Sequence, residues 1–198
     1  IGVKPELDSL PLVDRDLYAV QEQPIEKCCP PPFATLIAGR GCAYNCSFCQ
    51  PAEKIIFGHK VRRRSVDNVI NELKILRDKY KMKSFLIHDD CLTEDKAWLG
   101  EFCAKYRSNG FTQPFVCQSR ADIICKNEKL IKEMKEAGLV MLIIGFESGS
   151  QRILNFLRKG TKVAQNYEAA EICRKHGIKI WANYMLGIPT ETREEVMD

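Results

Sequence analysis

The stretch Leu139-Val140-Met141-Leu142-Ile143-Ile144-Gly145-Phe146, followed at once by Glu147-Ser148-Gly149-Ser150, decides the fold class. Eight consecutive apolar residues have the length of a strand, and a strand without polar alternation is one covered on both faces. That environment belongs to a parallel sheet flanked by helices. Working outward from it, four other short apolar runs carry a similar signature beside the run from Val140 to Phe146: Thr35 to Ala38, Phe85 to His88, Phe115 to Gln118 and Ile178 to Leu186. Helix-period segments lie between them. Ser65 stands as an N-cap before Val66, Val69, Ile70, Leu73, Leu76 and Tyr80, whose three-and-four spacing builds one apolar face. Leu99, Phe102, Cys103 and Tyr106 mark a second helix that stops near Gly110, and Leu130, Ile131 and Met134 a third between about Asn127 and Gly138. Ser150 to His176 predicts two helices broken at Gly160, and Thr192 with Glu195 has capping-box spacing for a last one. Strand and helix in alternation predict an α/β fold.

Residues 1–33 are punctuated by Pro5, Pro11, Pro24 and the run Pro30, Pro31 and Pro32, which forbids a long helix or a central strand there. We read them as an extended lead-in to a core domain over residues 34–198. The chain starts at Ile1 and ends at Asp198 before a sixth strand could form, so the expectation is an excised, C-terminally incomplete core. An unpaired sheet edge would then invite association.

Composition bounds the rest. The 198 residues are 45% hydrophobic and 28% charged, with 9 prolines and 12 glycines, the mixture of a soluble globular chain with room for a real core. A net charge of +4 and a pI near 8.5 fall short of the pI above about 9 that marks a nucleic-acid footprint. No run approaches the roughly 20 apolar residues of a bilayer span, and no signal segment opens the chain, so a cytoplasmic setting is expected. Ten cysteines in 198 residues are fewer than the roughly 8–10% of a disulfide scaffold.

Their placement carries chemistry. Cys42, Cys46 and Cys49 form a CxxxCxxC triplet directly after the first strand, on a loop opened by Gly39 and Gly41 that lets thiolates converge on a metal. Four-iron clusters are normally held by four cysteines, so three in one loop would leave one iron open to a substrate or cofactor. The competing reading is a closed zinc or electron-transfer site whose fourth ligand is one of Cys28, Cys29, Cys91, Cys103, Cys117, Cys125 or Cys173. Asp89 and Asp90 follow a strand, as ligands or as helix caps; Arg120 follows another, beside Asp122. Glu147 and Ser148 leave the long apolar strand where a barrel has its mouth. Gly187, Ile188 and Pro189 read as a βα turn or as a flat approach to a ligand. The basic run Lys60, Arg62, Arg63 and Arg64 reads as a solvated face.

Together these motifs carry a resemblance. Arg40-Gly41-Cys42 through Cys49, with Phe48 before the last cysteine, resembles the cluster loop of the radical S-adenosylmethionine (SAM) enzymes. The likeness extends over about residues 35–198, through His88-Asp89-Asp90, Gly145 to Ser150, and Leu186-Gly187-Ile188-Pro189-Thr190-Glu191-Thr192. Within that superfamily the wording is most similar to the cobalamin-dependent branch, whose interdomain linker resembles Leu7 to Leu17, while Lys159-Gly160-Thr161 resembles this branch and the methylthiotransferases alike. The resemblance implies a partial TIM-like barrel of the (β/α)6 type, here truncated after its fifth strand. It implies a [4Fe–4S] cluster on Cys42, Cys46 and Cys49 with Phe48 beside it, and SAM on the open iron. One electron would cleave SAM to methionine and a deoxyadenosyl radical that takes hydrogen from a substrate. By the same resemblance Asp89 or Asp90 meets the SAM ammonium, Arg120 its carboxylate, Glu147 and Ser148 the ribose, and Gly187, Ile188 and Pro189 the adenine. A one-electron reductant and a substrate, small molecule or other, are the implied partners, and cobalamin would come from an upstream domain. The implied activity is radical methylation; the alternatives are a methylthiotransferase-like enzyme without cobalamin and a non-enzymatic iron–sulfur or zinc domain.

Overall fold

The computed structural model describes residues 5–17, 27–49, 52–58 and 60–197. Its chain runs β1 (Phe33–Leu36), β2 (Gly39–Arg40), α1 (Ala52–Phe57), β3 (Arg62–Arg63), α2 (Val66–Asp78), β4 (Ser84–Ile87), α3 (Lys96–Ser108) and β5 (Phe115–Ser119). It continues through α4 (Ala121–Lys126), α5 (Glu128–Ala137), β6 (Leu139–Glu147), α6 (Gln151–Phe156), α7 (Val163–Lys175), β7 (Lys179–Tyr184) and α8 (Arg193–Met197). Five strands form one open sheet in the order β1-β4-β5-β6-β7, and every pairing in it is parallel. All five therefore deliver their C-terminal ends to one rim, which is what positions the site. β2 and β3 form a separate antiparallel ribbon.

The apolar run that predicted a strand is β6, and it is covered on both faces as expected. Leu139, Leu142, Ile144 and Phe146 join the large core beneath the helices, together with Ile131, Met134, Ala169 and Cys173. Met141 turns the other way into a smaller cluster with Cys29, Phe33, Leu86 and Val116. Rings of Phe85, Phe102, Tyr106 and Phe115 meet stacked, tilted or edge-on at 5.4–5.9 Å between the sheet and α3. The buried Tyr106 hydroxyl donates to the Gln113 carbonyl at 2.6 Å, so the largest fully buried ring leaves no polar atom unpaired.

Helix signals held where caps and periods agreed. The Ser65 hydroxyl accepts the Asn68 N–H at the start of α2, and α6 and α7 flank Gly160 as the break predicts. The first strand starts earlier than expected, at Phe33, because the Pro32 carbonyl already accepts the Lys83 N–H; it ends at Leu36 because Ala38 and Gly39 turn into the ribbon. The last strand is shorter than the apolar run, ending at Tyr184. The lead-in carries two short 3-10 turns, Leu7–Ser9 and Arg15–Leu17; its stretches 1–4 and 18–26, with Pro24, lie outside the described residues.

Candidate active site

The cysteine loop is anchored before it begins. Asp89, at the end of β4, accepts the backbone N–H groups of Ala38 (2.7 Å) and Gly39 (3.0 Å) on Oδ1, and the Arg63 guanidinium on Oδ2 at 2.9 Å. Burial pushes the Asp89 carboxyl above the ordinary aspartate range, and these three donors pull against it. The fit is tight beside it, since a Cβ on Gly39 would stand 3.0 Å from Asp89 Oδ2 and 3.2 Å from the Arg62 carbonyl oxygen. The chain then passes Gly41, at φ +94°, a conformation glycine adopts without strain, and enters the loop.

Along that loop Cys42 is half-buried, Cys46 is buried, and Phe48 and Cys49 are exposed. The Ser47 N–H donates to the Leu157 carbonyl at 2.8 Å, which straps the loop to the end of α6. Arg120, immediately after β5, lies over the Tyr44 ring at 3.6 Å and places Nη1 3.7 Å from Cys46 Sγ. The same guanidinium donates to Asp122 Oδ1 at 3.0 Å and to the Lys159 carbonyl at 2.7 Å. Burial raises the Cys42 thiol above its usual value.

On the far side of the rim the chain bulges between Gly145 and Glu147, where two residues oppose one of β7, and Glu147 takes φ 66°. Bulges of this kind re-aim a side chain. Here the Glu147 carboxylate receives the Lys159 ammonium on Oε1 at 2.7 Å, a pair buried at both ends. Lys159 Nζ also stands 5.7 Å from the Phe48 ring centroid, so β6, the α6–α7 connection and the cysteine loop meet at one place. The buried Ser148 accepts the Ser150 N–H at 3.1 Å. Gly187, at φ 74°, and Ile188 direct their N–H groups onto Glu191 Oε2. Ile188 is buried against Ile153 and Leu157, whereas Gly187 has no neighbour within 4 Å of where a Cβ would be and Pro189 is exposed.

The rim brings together the cysteine loop, Asp89, Arg120, Glu147 and Ser148, with a division of labour that the sequence did not show, whereas Cys29 packs beside Phe33 and Cys103, Cys117 and Cys173 lie in the helix-side core. Asp89 is committed to the loop backbone and Arg63, while Asp90 is exposed. Arg120 is committed to the cysteine loop and to Lys159. The ion pair of Arg120 with Asp122, the alternative that the sequence offered for this arginine, is present; Tyr44 and the side-chain role of Lys159 were missed. The signal available for Lys159 was its position, directly before Gly160 and twelve residues after a strand-end glutamate. The basic run is only partly a solvated face: Lys60 is exposed and Arg62 donates to the Pro5 carbonyl at the surface, whereas Arg63 pairs with Asp89 and Arg64 with Glu72 as internal braces.

None of the ten cysteines is in a disulfide, and among the described residues no three His, Cys, Asp or Glu side chains are drawn together as a metal centre. The model of the Radical SAM superfamily matches residues 36–198. This chain belongs to the radical SAM superfamily. An uncharacterized methyltransferase of Pyrococcus horikoshii is 34% identical over 190 residues, which cover 96% of this chain and 40% of that protein. The cytidylyl-2-hydroxyethylphosphonate methyltransferase of Streptomyces wedmorensis is 27% identical over 196 residues, covering 96% and 36%. The radical SAM chain therefore spans about two fifths of the length of these relatives. Its fold matches that of the cobalamin-dependent SAM radical enzyme OxsB, solved with aqua-cobalamin and SAM, at a TM-score of 0.69 and 24% identity over 77% of this chain and 23% of that one.

A radical SAM domain uses a [4Fe–4S] cluster and SAM, and the donor set here fits that pair. Three thiols share one glycine-opened loop on the rim, and a buried guanidinium already reaches one of them. Of the thiols offered for a closed site, Cys91 is buried and meets Thr93 Oγ1 at 3.9 Å.

Proposed function

We propose that this chain is the radical-generating core, residues 34–198, of a cobalamin-dependent radical SAM methyltransferase. The observation that carries the reading is the CxxxCxxC loop at the C-terminal rim of a parallel sheet, in a chain that the superfamily model matches over residues 36–198. The methyltransferase relatives and the likeness of Leu7 to Leu17 to the cobalamin-branch linker support the choice of reaction.

Cys42, Cys46 and Cys49 would hold three irons and leave the fourth to the amino and carboxylate groups of SAM. When bound, the pair supplies one-electron cleavage of SAM to methionine and a deoxyadenosyl radical. The protein's part is position and exclusion of water. Asp89 fixes the loop entry, and Asp90, exposed beside it, offers a carboxylate to the SAM ammonium. Lys159 holds Glu147 by Oε1, which leaves Oε2 to accept ribose hydroxyls. Gly187 keeps its face of the turn open to a flat adenine, with Ile188 packed behind it. A one-electron reductant, a methyl-accepting substrate and cobalamin held upstream complete the reading.

The test is the low-temperature electron paramagnetic resonance spectrum of the anaerobically reconstituted, dithionite-reduced protein with and without SAM. We expect a four-iron signal that changes when SAM is added. Cys42→Ala, Cys46→Ala and Cys49→Ala should each lose the iron, and Cys28→Ala should keep it. Stoichiometric zinc without iron, or iron lost from the Cys28 variant, would overturn the three-ligand reading.

A further inference from the structure

Arg120 is 6% exposed and Cys46 is 7% exposed, so whatever passes between them does so out of water, where a charge acts strongly. Three contacts fix the guanidinium: Nε on Asp122 Oδ1 at 3.0 Å, Nη2 on the Lys159 carbonyl at 2.7 Å, and its flat face on the Tyr44 ring at 3.6 Å. A planar fork held on two sides has little freedom left. The remaining terminal nitrogen, Nη1, stands 3.7 Å from Cys46 Sγ, within reach for a hydrogen bond to sulfur. Asp122 offsets part of the cation from the Nε side, Glu94 lies within electrostatic reach of it, and the Lys159 ammonium is neutralised by Glu147.

Resting on the three-cysteine reading, we infer that Arg120 is a positioning residue of the cluster site, which donates to the Cys46 sulfur and raises the reduction potential there. Reduction adds one negative charge, taken as one electron from the donor. A cation hydrogen-bonded to a ligand sulfur favours the more negative state, since hydrogen bonds to sulfur and local charge are among the levers that set iron–sulfur potentials. The site becomes easier to reduce for a weak one-electron donor. This differs from the contact that the resemblance implies, in which Arg120 would meet the SAM carboxylate: the guanidinium is already spent on the loop, on Asp122 and on Lys159.

The experiment is a potentiometric titration, followed by electron paramagnetic resonance, of the reconstituted full-length protein and two variants. Arg120→Gln removes the cation; the reduced fraction at a fixed potential should fall about tenfold in ratio, equivalent to 59 mV for one electron. Asp122→Asn removes the offsetting carboxylate and leaves the Nη1 contact, so its midpoint should move the other way. A residue with a merely structural role gives no such opposed pair. Equal midpoints in all three proteins, or shifts of the same sign in both variants, would overturn the inference. Weaker SAM binding by Arg120→Gln at an unchanged midpoint would overturn it in favour of the SAM carboxylate. Should the Gln variant hold no iron, the direction of the Asp122→Asn shift decides. A wild-type protein without a SAM-sensitive signal would fail the proposed function instead, so the two failures are distinct.

Discussion

At Gly145 the strand has no room for a side chain. A Cβ there would stand 2.2 Å from Glu147 Oε1 and 2.8 Å from Lys159 Nζ, so a methyl group must displace one end of a buried ion pair. Overpacking of this kind costs about 1–3 kcal/mol. Gly145→Ala should lower the unfolding free energy in urea by that much and weaken SAM binding together with it. Gly100, in the middle of α3 and with nothing within 4 Å, is the control: alanine there should stabilise by about 0.5–1 kcal/mol. Equal stability of Gly145→Ala and wild type in urea would show that the pair is not held where the bulge puts it. Residues of this sort divide what a sequence can tell. Glu147 was legible because an apolar run ends on it, whereas its partner was not, because Lys159 reaches it across a helix and a turn. Asp89 and Asp90 are indistinguishable in sequence; only the approach of the Ala38 and Gly39 amides separates them.

Elements with a repeating pattern were legible, and those without one were not. α2 shows its period and its Ser65 cap, but α4 has six residues between a strand end and the Asn127 turn, too few to display a face. The β2–β3 ribbon pairs Gly39-Arg40 with Arg62-Arg63, residues with no strand signature, and depends on the Asp89 anchor instead. The last helix was visible through one local device, the Thr192–Glu195 box, whose two reciprocal hydrogen bonds are both present. Glu195 does more than cap α8. It also accepts Arg152 Nε and the Ser150 hydroxyl, both at 2.8 Å, and so ties α8 to α6. Arg152 first, then the Thr192 N–H and Ser150, hold its carboxyl down at about 2 against an ordinary 4.5. A lowered acid stabilises the fold above its ordinary value and loses that effect as the pH falls toward the folded one. The side-chain carboxyl carbon of Glu195 should therefore titrate near about 2, with no inflection near 4.5. Glu195→Gln should loosen α8 already at neutral pH, read as faster amide exchange over residues 193–197. An inflection at the ordinary glutamate value in the wild type would show that α8 is not held by this residue.

The two edges of the sheet are treated differently, and that asymmetry governs how the whole molecule meets others. Along β1 the outward carbonyls of Thr35 and Ile37 accept Arg15 Nη2 (2.7 Å) and Arg64 Nη1 (3.0 Å), and both guanidinium groups are held by the buried Glu72 at 2.9 Å and 2.6 Å. The lead-in therefore does more than join segments: Arg15 closes an edge, a role invisible in sequence because it spans 20 residues to Thr35 and 57 to Glu72. At the other edge none of the six residues of β7 is buried, with Trp181 46% and Tyr184 61% exposed. An exposed strand edge that carries aromatic residues is a template for pairing, and charged or braced edges suppress it. The 198-residue chain in isolation should therefore associate through β7, with a mass that rises with concentration in sedimentation equilibrium. Trp181→Lys should shift the population toward monomer. Arg15→Ala, which uncovers the Thr35 carbonyl, should strengthen association. A chain that stays monomeric across the concentration range, or a Trp181→Lys variant that associates as strongly as wild type, would mean that β7 is not the surface through which copies meet.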